Sequence, residues 1–155
     1  MALLLALNSA LAVSQPAPQP SSEAANALLS ALEGEWQFEL VRSGASTPSV
    51  TGSRTYVRGL ARHPSLFWTE TFDDREVAVT GVVGFDGSSE RLYEIGSATG
   101  GPVEQLVGTV GDDRQRVRWV SAGSTSEYRG DLVLVSADEH HFESPRFTVV
   151  FRRTR

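Results

Sequence analysis

The chain contains no cysteine and no lysine, and each absence excludes a class of chemistry. Without cysteine it can form no disulfide, offer no thiol nucleophile and build no cysteine metal site. Without lysine it can form no Schiff base with a carbonyl compound. All 14 basic residues are therefore arginines. A Gly-x-Ser-x-Gly elbow is also absent, so the sequence gives no support to acyl hydrolysis.

A surplus of positive charge and a long apolar run are missing as well. The net charge is −5, so the surface should repel phosphate backbones, and we expect no nucleic-acid partner. No stretch reaches the ~18 apolar residues of a membrane helix, so no membrane span is expected. A chain of 155 residues fits a single domain with a sizeable core.

The N-terminal segment looks like a targeting signal followed by a linker. Residues 1–12 form an apolar run that ends in Ala-Leu-Ala, which resembles the cleavage site of a secretory signal peptide. No basic residue precedes this run, so a frayed apolar terminus is the alternative. Prolines at alternate positions make residues 13–22 an extended linker. We therefore expect an exported protein, periplasmic or secreted, whose folded domain covers residues 23–155.

The folded domain should be all-β, apart from one short helix at its start. Residues 23–32 are rich in alanine and leucine and favour a helix that Gly34 ends. From Glu35 onward, short runs of alternating apolar and polar residues are separated by turns. These runs predict a single up-and-down antiparallel β-barrel of about 8–10 strands with a short N-terminal helix. Glycines within the runs mark bends that favour closure: Gly81, Gly84, Gly108 and Gly130.

The first strand carries a family resemblance. Gly34-Glu35-Trp36 is similar to the Gly-x-Trp signature of lipocalins and other calycins. The later pattern resembles a bacterial group of lipocalin-like barrels at Gly84-Phe85-Asp86, Tyr93 and Gly108. The resemblance implies that Trp36 packs at the closed end of the barrel under a late arginine, either Arg152 or Arg153. It also implies a possible apolar pocket and does not imply an enzyme.

The predicted function is non-catalytic binding of a small apolar or amphipathic molecule inside the barrel. Such a ligand would be stabilised by burial against aromatic side chains, at roughly 25 cal/mol per Å² of apolar area. No cofactor and no metal are predicted. A buried Glu70 would need an arginine partner or a raised pKa, and a solvated position at the barrel end is favoured instead. The predicted ligand-binding residues are Trp68, Glu70, Phe85, Trp119 and Tyr128.

Three alternatives remain open. The first is a haem-binding barrel with His63 or His141 on the iron. His140 and His141 are adjacent, so in a strand they should face opposite sides of the sheet. The second is a small-barrel enzyme of the isomerase or cyclase type that uses a cavity carboxylate. The side chains available to it are Glu70 or Glu94 with Tyr93 or Tyr128. The third is a purely structural domain, whose interior would be filled.

Overall fold

The computed structural model describes residues 22–59, 64–111, 113–123 and 127–154. One helix, α1 (Ser22–Leu32), precedes ten strands. The strands are β1 (Gly34–Arg42), β2 (Val50–Arg58), β3 (Ser65–Phe72), β4 (Arg75–Asp86), β5 (Arg91–Ala98), β6 (Val103–Val110), β7 (Arg116–Ser121), β8 (Tyr128–Ser136), β9 (Glu139–Glu143) and β10 (Phe147–Arg153). The predicted signal peptide, His63 and all of the predicted linker except Ser22 lie outside the described residues.

The ten strands form one closed antiparallel barrel. Each strand pairs with its neighbours along the chain, and β1 pairs with β10 from Trp36↔Arg153 to Arg42↔Phe147 to close the sheet. Closure leaves no free sheet edge. The predicted fold class, an up-and-down barrel with a short N-terminal helix, is therefore confirmed.

One half of the barrel interior is filled, and α1 belongs to the same core. The indole N–H of Trp36 donates a hydrogen bond of 2.7 Å to the carbonyl oxygen of Leu32, which joins the last turn of α1 to the first strand. The buried face of α1 consists of Ala25, Leu28, Leu29 and Leu32. Buried strand residues in this half, called here the closed half, include Trp36, Leu66, Val83, Phe85, Leu92, Val117 and His140.

Glycines let large rings lie directly against the wall of the barrel. A Cβ atom at Gly96 would lie 2.8 Å from Cζ2 of Trp68, and one at Gly108 would lie 2.8 Å from Cζ3 of Trp119. Each indole therefore occupies the space that a neighbouring side chain would otherwise fill. An indole in this position takes up less of the barrel centre. Gly108, one of the glycines predicted to mark bends, therefore also makes room in the interior, as does Gly96.

Candidate functional site

A cavity of about 290 Å³ occupies the half of the barrel opposite α1. Its walls are mostly apolar, and three charged side chains, Arg54, Glu70 and Glu94, and the phenol of Tyr56 interrupt them. The apolar lining includes Phe38, Leu40, Phe72, Leu106, Trp119, Phe142, Phe147 and Val149. A second cavity of about 350 Å³ shares Arg54, Glu94 and Leu106 with the first and adds Trp68 and Glu104. Sites for small molecules typically combine apolar walls with a few placed polar groups in this way.

The Arg54–Glu70 ion pair lies in the wall of this cavity. The two residues are direct cross-strand partners on β2 and β3. Nε of Arg54 donates to Oε2 of Glu70 at 2.7 Å, and Nη2 donates to the same oxygen. Nη1 donates to the hydroxyl of Tyr56 at 3.0 Å. The guanidinium carbon also lies 4.6 Å from the centroid of the Trp68 ring, so the cation is held between a carboxylate, a phenol and an indole.

Glu94 is the second carboxylate of the cavity, and it is unpaired. It lines both cavities, yet among the residues that the structure describes it has no hydrogen-bond or ion-pair partner. Burial raises the pKa of Glu94; Arg54 opposes this shift, whereas Glu70 and Glu104 add to it. A carboxylate with a raised pKa inside a cavity is typical of functional sites.

Two buried indole N–H groups in the cavity walls also lack partners. Trp68 is 5% exposed and Trp119 is 2% exposed. Within the described ranges neither Nε1 atom has a hydrogen-bond acceptor. A buried donor without a partner costs about 1–3 kcal/mol, so the fold carries this cost in the walls of the cavities.

The structure brings some of the predicted ligand-binding residues to the cavities and not others. Trp68, Glu70 and Trp119 line them. Phe85 is buried in the closed half and lines neither cavity. The solvated position favoured for Glu70 is wrong, because this residue is 9% exposed and paired with Arg54.

Tyr128 lies outside the barrel because the pairing of β7 with β8 is irregular. Trp119 pairs with Gly130, but the next residue, Val120, pairs with Tyr128, so Arg129 is the extra residue of a bulge. This shift turns Tyr128 to the outer face, where its ring lies 4.9 Å from the guanidinium carbon of the exposed Arg118. The ligand-binding role predicted for Tyr128 rested on unbroken alternation, which the bulge interrupts.

The arginine at the closed end is Arg153 and not Arg152. The guanidinium carbon of Arg153 lies 4.2 Å from the centroid of the Trp36 ring. Its nitrogens donate to the carbonyl oxygens of Ala31 at 2.9 Å and Glu33 at 2.7 Å, at the end of α1. Arg152 faces outward, because adjacent residues of a strand point to opposite sides of the sheet.

His140 and His141 point to opposite sides of the sheet, which confirms the predicted orientation. His140 is 1% exposed and stacks on Phe151 at 4.5 Å, edge-on to Trp36 at 4.4 Å. His141 faces outward and lies 2.8 Å from Glu139. His141 is therefore on the wrong side of the sheet to hold a haem inside the barrel, which corrects the haem hypothesis for His141; His63, its other candidate, lies outside the described residues.

Replacing His140 with phenylalanine should reduce the sensitivity of the protein to acid. Burial, and then Arg54, His141 and Arg153, lower the pKa of His140 to about 3. The unfolded chain, with an ordinary histidine pKa, binds this proton near pH 6.5, so stability falls as the pH drops below that value. Between pH 7 and pH 5 this loss is about 2 kcal/mol. Urea unfolding at both pH values should show that the free energy of unfolding of His140→Phe decreases less between pH 7 and pH 5 than that of the parent protein.

The matched control for this experiment is His141→Gln, which removes the adjacent, outward imidazole and leaves His140 in place. It should keep most of the acid sensitivity of the parent protein. If His140→Phe lost as much stability as the parent between the two pH values, His140 would not be the neutral buried group described above.

Sequence reasoning missed Arg54, the central cation of the site. The signal was its spacing: Arg54 lies two residues before Tyr56, and residues i and i+2 of a strand share a face. An arginine in phase with a buried aromatic residue can supply the partner that a buried carboxylate requires. Glu94 was named only for the enzyme alternative, and neither Tyr93 nor Tyr128 lines a cavity with it.

The described residues contain neither a metal-ligating cluster nor a membrane-spanning helix. No three histidine, aspartate or glutamate side chains in them are grouped so as to hold a metal ion. No helix in the same residues has the length and apolar character needed to cross a membrane.

The comparisons with known proteins concern the barrel architecture. No protein-family model matches the chain, and no curated protein matches it significantly. Similar solved structures include the redesigned β-barrel b11L5F_LGL, with 13% identity and a TM-score of 0.46 over 83% of this chain and 96% of that one. Another is the redesigned β-barrel mFAP0, bound to DFHBI, with 16% identity and a TM-score of 0.38 over 79% of this chain and 99% of that one. Structural similarity at this level does not indicate what this barrel binds.

Proposed function

We propose that the barrel binds one small amphipathic molecule, without covalent chemistry, in the cavity opposite α1. The observation that carries this proposal is the composition of the cavity of about 290 Å³, in which aromatic and aliphatic walls surround Arg54, Glu70 and Glu94. A purely structural barrel has no need for a buried ion pair beside an open apolar space. The polar groups of the cavity are suited to orienting a ligand.

The size of the cavity limits the ligand to roughly a bicyclic ring system. Its volume lies at the lower end of the ~300–1,000 Å³ typical of small-molecule sites. Burial of about 200 Å² of apolar ligand surface contributes about 5 kcal/mol. This contribution offsets part of the free-energy cost of holding a ligand in one place and orientation.

The closed end supports a distant relationship to the calycins, which we propose together with this function. Trp36 lies under an arginine from the end of the last strand, as the resemblance of the Gly34-Glu35-Trp36 motif implied. The arginine also ties α1 to the barrel through backbone carbonyls. This end therefore stays closed while the opposite half is available to a ligand.

Titration with 1-naphthalenemethanol, a neutral bicyclic alcohol, tests the proposed function by calorimetry. We expect saturable binding of one molecule per chain. Leu106 lines both cavities, so Leu106→Trp should fill the space and weaken binding at least about tenfold. Val107, the next residue on β6, faces outward by strand alternation, so Val107→Trp is the matched control and should bind like the parent. No saturable binding, or equal binding by Leu106→Trp, would contradict the proposal.

Glu94 favours one second candidate function, general acid–base chemistry on a bound molecule. Burial raises the pKa of Glu94 and brings it closer to neutral pH, which suits proton transfer. The tyrosine that shares the cavity with it is Tyr56, and the hydroxyl of Tyr56 already accepts a hydrogen bond from Arg54. The test is deuterium exchange from solvent into a carbonyl probe such as 2-tetralone. Exchange that the protein accelerates and that Glu94→Gln loses would support this candidate. Equal exchange with and without the protein would contradict it.

A further inference from the structure

We propose that the natural ligand is a small apolar amine whose protonated nitrogen pairs with Glu94. This inference rests on the function proposed above and specifies the chemical class of the ligand. It is carried by the charges in the cavity and by the absence, among the described residues, of a hydrogen-bond or ion-pair partner for Glu94.

The charges lining the cavities do not balance. The charged side chains that line the first cavity are one cation, Arg54, and two carboxylates, Glu70 and Glu94. Three nitrogens of Arg54 already donate to Glu70 and Tyr56, so the guanidinium is committed to them. One more positive charge on the ligand would balance the site, whereas a negative charge would add a third anion beside the other two.

The position of Glu94 makes it the receiving group for that charge. Its side chain lines both cavities, and Leu106, its direct partner on β6, is one of the apolar residues shared by the two. A ligand nitrogen at Glu94 would therefore have apolar side chains beside it for the rest of the molecule. Glu94 is half-buried, so its carboxylate is partly removed from water without a partner, and an ammonium donor would supply a charge-assisted hydrogen bond there.

The carboxylate at the rim of the second cavity does not change this balance. Glu104 lines that cavity and is largely exposed, with its side chain 61% accessible, and it forms an ion pair of 3.0 Å with Arg129. Because Arg129 compensates the charge of Glu104, the carboxylate left without a partner in the cavities is Glu94.

Three naphthalene probes of similar size, differing in charge, test the inference. They are 1-naphthylmethylamine, which is protonated at neutral pH, 1-naphthalenemethanol and 1-naphthoate. Calorimetric titration of the parent protein should show that the ammonium probe binds at least about tenfold more tightly than the alcohol, and that the naphthoate binds most weakly. Glu94→Gln should weaken the ammonium probe at least about tenfold and change the alcohol by less than about twofold.

The control variant is Glu76→Gln, which removes the same charge from an exposed position on β4. It should leave the affinities of all three probes unchanged. This comparison separates a direct pair with Glu94 from a general effect of net charge.

A measurement on the parent protein provides a second test that needs no variant. The groups that act on Glu94 are Arg54 from β2, Glu70 from β3 and Glu104 from β6. Since burial raises the pKa of Glu94, acidification should weaken the ammonium probe at a higher pH than an ordinary glutamate partner would, while the alcohol keeps its affinity.

The outcomes separate this inference from the proposed function. If the alcohol binds as tightly as the ammonium probe and Glu94→Gln changes neither, the inference is overturned and the binding function stands. If the naphthoate binds most tightly, the inference is overturned and Arg54 becomes the anchor. If no probe binds saturably, the proposed function fails, and the inference fails with it.

Discussion

Replacing Arg54 with methionine is expected to lower the free energy of unfolding by about 3–5 kcal/mol. The reason is that Glu70, 9% exposed, would lose the guanidinium that now holds it. Glu94 would lose the attraction of the same cation. Methionine has a length similar to the arginine stem and can pack on Trp68, so the loss should come mainly from the unpaired carboxylates. Urea unfolding at neutral pH measures the change.

A second substitution in the same chain tests that explanation. Adding Glu70→Leu to Arg54→Met removes the unpaired carboxylate, so the double variant should recover most of the lost stability. Arg75→Met provides the control, because Arg75 pairs with Asp74 on the exposed surface and its loss should cause no measurable change. If the double variant were no more stable than Arg54→Met, the pair would not be the source of the effect.

Replacing Arg153 with lysine is expected to cost about 2–3 kcal/mol, even though the charge is kept. The three donor nitrogens of Arg153 reach the carbonyl oxygens of Ala31, Glu33 and Ala137 at 2.9, 2.7 and 3.1 Å. A single ammonium group cannot reach all three and also cover the face of Trp36. The junction between α1 and the barrel should loosen, and urea unfolding should show the loss.

The neighbouring residue provides a matched control for this substitution. Arg152 faces outward and forms ion pairs with Glu39 at 3.4 Å and Glu139 at 3.3 Å. Exposed pairs of this kind contribute little, so Arg152→Lys should change stability by less than about 0.5 kcal/mol. Equal losses for the two variants would mean that Arg153 does not close the barrel in the way described here.

Local patterns in the sequence were sufficient to predict the barrel. The alternation of Trp36 and Phe38 with polar residues marked the inner face of β1, and both are buried. The turn after Asp86 was readable from its residue types, and the Asp86 carboxylate accepts hydrogen bonds from Ser88 and Ser89 there. Such signals involve residues that are close together in the sequence, so they can be recognised from a single sequence without knowledge of the fold.

The parts of the site that escaped prediction depend on contacts between distant residues. Arg54 and Glu70 meet only because the register of β2 and β3 places them opposite each other, and alternation within one strand does not reveal that register. Tyr128 was misplaced because a bulge at Trp119 interrupts the alternation. In both cases the missing information is the pairing between strands and not the character of either strand.

The indole N–H signals of the three tryptophans, recorded by NMR during titration with 1-naphthalenemethanol, test the central claim most directly. Trp68 and Trp119 line the cavities and have unpartnered N–H groups, whereas the Trp36 N–H is bonded to Leu32 in the closed half. A ligand in the half opposite α1 should shift the signals of Trp68 and Trp119 and leave that of Trp36 in place. A shift confined to Trp36, or none while calorimetry shows binding, would contradict a ligand cavity in this half of the barrel.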